Sequence, residues 1–346
     1  MRFSLWSFIV DQWSQQPPVL QVDLTGKTVV VVGANTGLGF EAAKHFATMT
    51  PGRLILACRS QSKGQAALDK LKAETGYAKA ELWLIDLAEF ESVKQFADRF
   101  ERDGGRLDIL VENAAVGPGP KYEATKDNWE IALQVNHLST SLLAFLLLPA
   151  MIKTAQQHST TPRLVVVSSD THYWVKMDKT LSEDPDLLKT LGSAEYCTEK
   201  NMKQRYPLSK LFTVFFVRAL NARIPPSTPL IVNAVNPGYC YSELRRSLVG
   251  LRVVINWLMD KALAFSSEVG SRRIVWAALS HQEHPDTLRG EYVSSFAIQE
   301  VSDAVLSPEG VKVQDRSWDE LVDILGKVDP RVHSIVEKYL SRDISM

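Results

Sequence analysis

Tyr206 and Lys210 have the residue types and spacing of a proton donor and the cation that tunes it. On a helix, side chains separated by one turn share a face. A free tyrosine has a pKa of about 10 and is a poor base near neutrality, whereas an ammonium beside it favours the phenolate and lowers that pKa. Pro207 would then lie in the first turn, where a missing N–H costs little. The spacing is common by chance, so its weight depends on the elements around it.

A glycine-rich turn is the second feature that could do chemistry. The first predicted strand ends in Gly33-Ala34-Asn35-Thr36-Gly37-Leu38-Gly39, immediately before a helix. Glycines let the backbone approach a pyrophosphate, and the helix N-terminus offers free N–H groups and a positive dipole. The spacing differs from the usual G-x-G-x-x-G, and a tight structural turn is the alternative. The position between a strand and a helix favours a dinucleotide site.

The end of the second predicted strand bears on which dinucleotide would bind. Where an acidic residue would hold the ribose 2′-hydroxyl of NAD, the sequence has Arg59, with Lys63 close behind. An Arg can pair with a 2′-phosphate, and no carboxylate stands there to repel it. NADP (NADPH) is therefore the predicted cofactor. In the alternative, Arg59 is a solvated loop charge and cofactor choice is loose.

Apolar strand-like runs alternate with amphipathic segments of helical length through most of the chain. The runs are nearly continuous Val, Ile and Leu, as expected when helices cover both faces of a parallel sheet. The sequence therefore predicts an α/β fold with a doubly wound (Rossmann) parallel sheet. The predicted strands are Thr28–Val32, Arg53–Cys58, Ala80–Ile85, Leu107–Val111, Arg163–Val167 and Leu230–Val235, and the predicted helices begin near Leu38, Gln61, Glu89, Asp127 and Tyr206.

This alternation continues without a flexible linker, so a single domain is predicted over residues 23–346, preceded by an N-terminal extension over residues 1–22. Two stretches interrupt the rhythm, residues 173–205 and residues 241–265. Both follow strands, at the sheet edge where open α/β sheets bind ligands. We predict that these two segments are substrate loops.

Composition excludes several classes of protein. The chain has 39 Lys and Arg against 40 Asp and Glu, so no basic excess is available to neutralise nucleic-acid phosphates. Its 3 cysteines are widely spaced and fit neither a disulfide framework nor a zinc knuckle. A reducing, cytoplasmic compartment is the expectation. No metal site is predicted, because His281 and His284 lack the spacing of the helical zinc-protease pattern.

Two apolar segments are too short to span a bilayer, which takes about 20 apolar residues. The first lies in the N-terminal extension and lacks a convincing cleavage site for a secretory signal. It is interpreted either as an additional helix that caps the core or as a peripheral contact with a lipid surface through Trp6 and Trp13. The second, Leu142–Met151, is interrupted by Pro149.

Several of these segments together resemble the short-chain dehydrogenase/reductase family over roughly Asp23–Tyr292. Asp23–Lys27 and Ala57–Arg59 are most similar to the branch that contains retinol dehydrogenases and many fungal reductases. The catalytic tetrad that the resemblance implies is Asn136, Ser169, Tyr206 and Lys210. The predicted cofactor-binding residues are Gly33, Asn35, Gly37, Leu38, Gly39, Arg59, Lys63, Asp86, Leu87, Asn113, Ala114, Tyr206, Lys210, Pro237, Gly238 and Ser242. The resemblance implies that Pro237, Gly238 and Ser242 lie beside the nicotinamide.

The resemblance also implies how the tetrad would work. Ser169 and Tyr206 would hydrogen-bond the substrate oxygen, and Tyr206 would supply a proton as hydride reaches the carbonyl carbon. Lys210 would lower the pKa of Tyr206 and contact the nicotinamide ribose. Asn136 would position a water for a proton relay to Lys210. The residues leave open whether Ser168 or Ser169 faces the site, and the family pattern favours Ser169.

The sequence departs from the family pattern near the cofactor. Val32 replaces a Thr before the first glycine, Glu112 replaces the first Asn of Asn-Asn-Ala-Gly, and Ala115 replaces its Gly. None of these residues belongs to the catalytic tetrad, so the sequence stays compatible with catalysis. The packing around the cofactor is expected to differ from the family pattern. The interval between Ser169 and Tyr206 is also longer than is usual in the family, which affects the substrate side.

The sequence thus favours an NADPH-dependent oxidoreductase that interconverts a ketone or aldehyde with an alcohol. The substrate is predicted to be a lipophilic small molecule, such as a retinoid, a steroid-like compound or a polyketide-type secondary metabolite. Trp174, Trp257 and Phe265 could line its pocket, although such aromatic residues are also typical of plain core. His172 is predicted to be structural or surface-exposed, with substrate contact as the alternative.

Two other functions stay open at this point. The first is a scaffold or regulatory protein that binds the dinucleotide without turnover, which has no physical need for all four tetrad residues. The second is a cofactor-using isomerase or dehydratase, since a fold does not fix the reaction. A homo-oligomer is equally left open.

Overall fold

The strands that the alternating pattern predicts belong to a single sheet. The computed structural model describes residues 4–103, 105–117, 119, 121–242, 244 and 251–340, with the backbone alone for 251–255. Arg245 and Arg246 of the predicted second substrate loop lie outside the described residues. The strands are β1 Thr28–Val32, β2 Arg53–Cys58, β3 Ala80–Leu84, β4 Ile109–Glu112, β5 Arg163–Val167, β6 Ile231–Asn236, β7 Tyr292–Ser294 and β8 Ala297–Ile298.

The strand order places a ligand-binding crevice beside β1. The order is β3-β2-β1-β4-β5-β6-β7-β8, and every pair is parallel except β7 with β8. The chain runs outward from β1 to β3 on one side and then returns to β4 on the other. Val30 therefore lies opposite both Ile55 on β2 and Leu110 on β4. Open α/β sheets bind ligands where the order reverses, so the prediction of a doubly wound sheet is confirmed.

Helices cover both faces of this sheet. Successive residues of β1 alternate between the two layers, so Val29 and Val31 pack with one apolar cluster and Val30 and Val32 with the other. The helices are α1 Leu5–Trp13, α2 Gly37–Thr48, α3 Gln61–Thr75, α4 Phe90–Arg102, α5 Ile131–Leu133, α6 Ser139–His158, α7 Lys179–Glu183, α8 Leu187–Gly192, α9 Glu199–Met202, α10 Arg205–Arg223, α11 Leu251–Leu263, α12 Ser267–Leu279, α13 Asp303–Leu306, α14 Pro308–Val328 and α15 Arg331–Tyr339.

The layer that positions the predicted tetrad contains α4, α6 and α10. Helix α6 continues through Pro149, so the expectation that this proline interrupts the apolar run is wrong. A proline inside a helix costs about 3 kcal/mol, but Phe145, Leu148 and Met151 are fully buried around it and their packing offsets that cost. Together with α5 and a π-helical turn, α6 is long and apolar enough to cross a membrane, yet 89% of its most apolar stretch is buried inside this fold.

Residues 173–205, predicted as a substrate loop, fold into the short helices α7, α8 and α9. Leu187 and Leu191 of α8 are fully buried in the same apolar cluster as α6 and α10. The Glu320 carboxylate of α14 accepts hydrogen bonds from the Leu188 and Lys189 N–H groups at 2.8 and 3.1 Å. This stretch is therefore anchored to the C-terminal helices, and its contact with substrate stays a prediction.

A buried ion pair fixes the start of α10. Arg205 Nε lies 3.2 Å from a carboxylate oxygen of Glu130, and both side chains are buried. Arg205 Nη2 also donates to the Leu191 carbonyl at 2.6 Å, while Glu130 accepts from the Ala132 and Leu133 N–H groups at the start of α5. Because α10 begins at Arg205, this network holds the residue that precedes Tyr206.

The N-terminal extension contains α1, whose most exposed side chains are apolar. Trp6, Val10 and Trp13 are 72%, 48% and 69% exposed, whereas Gln12 is 6% exposed. Phe8 is half-buried, with its ring centre 6.3 Å from that of Tyr239, so the helix is attached through Gln12 and Phe8 while both tryptophans stay exposed. Lipid contact through Trp6 and Trp13 stays a prediction.

Candidate active site

The glycine turn after β1 is shaped by close packing at two of its three glycines. Gly33 has φ +77°, and a Cβ there would lie 2.9 Å from the Cα of Ala114. A Cβ on Gly39 would lie 2.3 Å from the Gly33 carbonyl oxygen and 2.5 Å from Asn113 Nδ2. Around Gly37, with φ +59°, the nearest atom is Ser267 Oγ at 3.9 Å. The backbone at Gly37 therefore faces open space in which a ligand can approach.

The start of α2 fits an anionic ligand in that space. Thr36 is the N-cap residue, but its side chain accepts no hydrogen bond from the first turn of the helix. The N–H groups at a helix start favour negative charge. Asn35, Gly37 and Lys63 line a cavity of about 410 Å³ together with Lys70. This uncapped N-terminus beside an open glycine and a lysine suits a phosphate-bearing dinucleotide.

Asn113 ties the end of β4 to the glycine turn. Its Nδ2 lies 3.3 Å from the Val32 carbonyl oxygen and 3.2 Å from that of Gly33, and it donates to both. Ala114 packs against Gly33 from the same segment. The predicted cofactor residues from β1 and β4 are therefore brought together at the sheet edge.

The residues predicted to contact the adenosine half lie at the ends of β2 and β3. Arg59 and Lys63 are exposed, Arg59 just after β2 and Lys63 in the first turn of α3. Asp86 follows β3, and its carboxylate accepts from the Ala88 N–H at 2.9 Å, while Leu87 is buried. Among the described residues, neither Arg59 nor Lys63 forms an ion pair, so both charges are available to an anionic ligand.

Lys210 and Tyr206 share one face of α10, as their spacing predicts. Lys210 Nζ lies 5.6 Å from the centre of the Tyr206 ring and donates to the Val167 carbonyl at 2.7 Å. Burial lowers the pKa of Lys210 to about 8, because the charged ammonium loses its hydration. Pro207 lies in the first turn of the helix, as expected.

The two candidate serines have different environments. Ser168 is buried, and its Oγ donates to the Lys210 carbonyl at 3.2 Å. With the bond from Lys210 to Val167, this contact locks the end of β5 onto α10. Ser169 Oγ accepts from the Thr171 N–H at 3.2 Å, and the turn that follows Ser169 packs against α10. Ser168 is thus a structural link, which leaves Ser169 as the candidate for substrate contact.

Asn136 lies in the π-helical turn Gln134–Leu138, and its side chain is fully engaged. Its Oδ1 accepts from the Val116 N–H at 2.8 Å, and its Nδ2 donates to the Val116 carbonyl at 3.0 Å and to Ser209 Oγ at 3.1 Å. The amide therefore ties the segment after β4 to α10. Because the side-chain amide is occupied, a water in the predicted relay would have to bind to the backbone of the π-helical turn at Asn136.

The segment after β6 carries the remaining predicted cofactor residues. Pro237 is buried and Gly238 has φ +82°, a conformation that favours glycine. Ser242 Oγ accepts from the Leu244 N–H at 3.0 Å. These residues follow the carboxyl end of β6, on the same sheet edge as the glycine turn and Ser169.

Sequence reasoning missed a buried polar group beneath Ser169. Tyr292 on β7 donates to an Asp170 carboxylate oxygen at 2.6 Å, and burial raises the pKa of both groups. His172 is fully buried, its Nδ1 lies 2.8 Å from the Ser169 carbonyl oxygen, and burial lowers its pKa to about 4. A surface role for His172 is therefore wrong, and the ring supports the turn that carries Ser169.

Glu112, the departure at the end of β4, is buried without a hydrogen-bond partner among the described residues. It lies between Val32 of β1 and Val166 of β5. Burial raises the pKa of this carboxyl well above its ordinary value, because the ionised form would lose its hydration without compensation. The side chain is thus held neutral in the folded protein.

Replacement of Glu112 by Gln should stabilise the protein, and increasingly so at higher pH. The folded state retains a proton that the unfolded chain releases above about pH 4.3. The contribution of Glu112 to the free energy of unfolding is therefore complete below that pH and is lost as the pH rises towards the pKa of the folded state. Glutamine cannot ionise, so the free energy of unfolding of the variant should exceed that of the wild type by an amount that grows by up to about 1.4 kcal/mol per pH unit. Urea unfolding at pH 5, 7 and 8.5 measures this difference. Equal differences at all three pH values would contradict the prediction, and Glu195→Gln at an exposed position is the matched control.

The fold and the site define a class of protein before any comparison. A parallel sheet whose order reverses beside a glycine turn, with an uncapped helix N-terminus facing open space, is a Rossmann-type dinucleotide-binding architecture. Residues 27–173 match the family model described as short chain dehydrogenase.

Relatives of known sequence and structure extend this match to most of the chain. The short chain dehydrogenase/reductase dmxR8 of Cryptosporiopsis sp. is 36% identical, covering 94% of this chain and 99% of the relative. The short-chain dehydrogenase anuD of Penicillium roqueforti is 36% identical, covering 95% and 85%. The L-sorbose reductase of Gluconobacter frateurii, solved with NADPH and L-sorbose, has 19% identity and a TM-score of 0.57, covering 79% of this chain and 97% of the reductase.

The chain belongs to the short-chain dehydrogenase/reductase family. It is accordingly an oxidoreductase that acts on CH–OH and carbonyl groups with a nicotinamide dinucleotide.

Proposed function

We propose that this protein is an NADPH-dependent reductase that interconverts a ketone or aldehyde with an alcohol on a lipophilic small molecule. The observation that carries the proposal is that α10, which bears Tyr206 and Lys210, is bound to the end of β5 just before Ser169, through the 2.7 Å hydrogen bond from Lys210 Nζ to the Val167 carbonyl. This junction lies at the edge of the sheet where the glycine turn also lies. The bound dinucleotide would supply the hydride. Gly33, Gly37, Asn113 and the start of α2 would hold its phosphate-bearing half.

Side chains of this protein would supply the proton that the substrate oxygen takes up. Tyr206 would donate to the substrate oxygen as negative charge develops there, an interaction stronger in the transition state than in the ground state. Lys210 stabilises the phenolate that remains, and Ser169 would add a second hydrogen bond to the same oxygen. In the oxidative direction Tyr206 would act as the base.

An apolar substrate is supported by the side chains beside this edge. Trp174 ends the turn that follows Ser169 and is 54% exposed, and Tyr241, just before Ser242, is 41% exposed. Exposed apolar side chains beside a catalytic group are typical of ligand-binding surfaces. Phe265, by contrast, is buried beneath the guanidinium of Arg273, so it belongs to the support of the site rather than to its open surface.

Arg59→Asp should move cofactor preference from NADPH towards NADH. Arg59 is exposed at the end of β2, and a carboxylate there would repel a 2′-phosphate and accept from a ribose 2′-hydroxyl. We expect the ratio of kcat/KM for NADPH to that for NADH to fall about 100-fold, since charge-assisted pairing is replaced by repulsion. Arg102→Asp, at an exposed position in the last turn of α4, is the control. An unchanged ratio in Arg59→Asp would refute the assignment.

Purified protein incubated with NADPH and a broad panel of ketones and aldehydes tests the proposal. Oxidation of NADPH with formation of the alcohol is the expected result, with larger kcat/KM for the more lipophilic carbonyl compounds. Binding of NADPH without oxidation across the panel would instead support a dinucleotide-binding scaffold.

A further inference from the structure

The N-terminal helix α1 is attached to the segment that bears Pro237 and Gly238. Gln12 Nε2 donates to the Tyr239 carbonyl at 2.9 Å and to the Leu263 carbonyl at 2.7 Å, and Gln12 Oε1 accepts from the Tyr239 N–H at 3.1 Å. Both backbone groups of Tyr239 are therefore bound by one side chain from the other end of the sequence. Trp13 Nε1 adds a bond to the Ala262 carbonyl at 2.9 Å.

The turn itself is packed against this side chain. A Cβ on Gly238 would lie 3.0 Å from Gln12 Oε1, 3.0 Å from Arg273 Nη1 and 3.1 Å from Phe265 Cε2. Gly238 is thus enclosed by side chains from α1, from α12 and from the segment before α12. Gly238 has φ +82°, so both its backbone conformation and the close contacts around it favour glycine at this position.

A second contact from α1 neutralises a buried charge under the same turn. Arg273 is fully buried, and its Nη2 donates to both Asp11 carboxylate oxygens at 2.9 and 2.8 Å and to Gln16 Oε1 at 2.8 Å. Its Nε and Nη1 have no hydrogen-bond partner among the described residues. Asp11 therefore supplies the carboxylate that compensates a guanidinium removed from water, and without it the buried charge would be strongly unfavourable.

From this geometry we propose that α1 is a structural part of the nicotinamide half of the site, with Gln12 as a positioning residue for Pro237, Gly238 and Tyr239. The inference rests on the proposed function, because the family resemblance is what places this segment beside the nicotinamide. Gln12 acts by completing the backbone hydrogen bonds of the segment. It touches neither substrate nor the reacting atoms.

Gln12→Met tests the proposal, because methionine fills a similar volume but makes none of the three hydrogen bonds. Binding is measured directly, by titration of NADPH and of adenosine 2′,5′-bisphosphate, which carries the adenine half alone. We expect NADPH to bind about tenfold more weakly to the variant, while adenosine 2′,5′-bisphosphate binds as it does to the wild-type protein.

Equal weakening of both ligands, or no change in either, would overturn the proposal. Gln12→Asn keeps the amide on a side chain that is one methylene shorter, and it should give an intermediate NADPH affinity. This variant tests the proposal if Gln12→Met does not fold. Val10→Ala, on the exposed side of the same helix, is the matched control and should bind both ligands normally. Failure of the wild-type protein itself to bind NADPH would instead refute the proposed function.

Discussion

Replacement of Tyr206 by Phe should reduce turnover by about 10³-fold or more, because the variant loses the proton donor while keeping the ring. The ring packs one helical turn from Lys210, with 5.6 Å between Nζ and the ring centre, so removal of the hydroxyl leaves the helix surface in place. NADPH affinity should change less than about twofold, because no phosphate contact is predicted for the hydroxyl. Steady-state kinetics and a NADPH binding titration measure the two quantities.

Tyr77→Phe is the control, because it removes a tyrosine hydroxyl that lies outside the proposed site. Tyr77 donates to the Pro51 carbonyl at 2.7 Å and belongs to the opposite layer of the fold. Tyr77→Phe should therefore retain normal turnover. Turnover near the wild-type level in Tyr206→Phe would refute the proton-donor assignment.

Lys210→Met should lower kcat by about 10²-fold to 10⁴-fold, since the tyrosine loses the cation that favours its phenolate. The variant should also change the pH profile. Burial lowers the pKa of Lys210 to about 8, so the wild-type protein loses its ammonium as pH rises through that value, and kcat/KM for reduction should fall above about pH 8. In Lys210→Met this descending step should move towards about pH 10, where a tyrosine without a neighbouring cation loses its proton.

The profile is measured between pH 6 and 10, at about the ionic strength of the cell, with Lys203→Met as the control. Lys203 is exposed, near the start of the same helix, and pairs with Glu199 on α9. Its removal should leave the rate and the descending step intact. A wild-type profile without that step, or an unchanged step in Lys210→Met, would contradict the role given to Lys210.

The sheet was predictable because its strands are continuous apolar runs. Five consecutive buried residues, Thr28–Val32, leave little alternative to a strand covered on both faces. The short strands β7 and β8 contain too few residues for such a signal. The glycine turn and the helix of Tyr206 were predictable for a similar reason, since both are defined by local spacing.

Long-range polar contacts were not predictable in this way. Gln12 binds atoms of residues that lie 227 and 251 positions further along the chain, and no local pattern marks such a pairing. The apolar residues of α1 suggested burial, whereas Trp6 and Trp13 are exposed and the buried residue of the helix is Gln12. Residues 173–205 lacked periodicity because their helices are short and are held by α14 and by the Arg205–Glu130 pair.

A crystal structure of the protein with NADPH and a bound carbonyl compound tests the central claim most directly, through the positions of two oxygen atoms. The account predicts that Tyr206 Oη and Ser169 Oγ both lie about 2.6–3.2 Å from the carbonyl oxygen, above the nicotinamide ring. A carbonyl held elsewhere, with the Tyr206 hydroxyl turned away from Ser169 and from the ring, would contradict it.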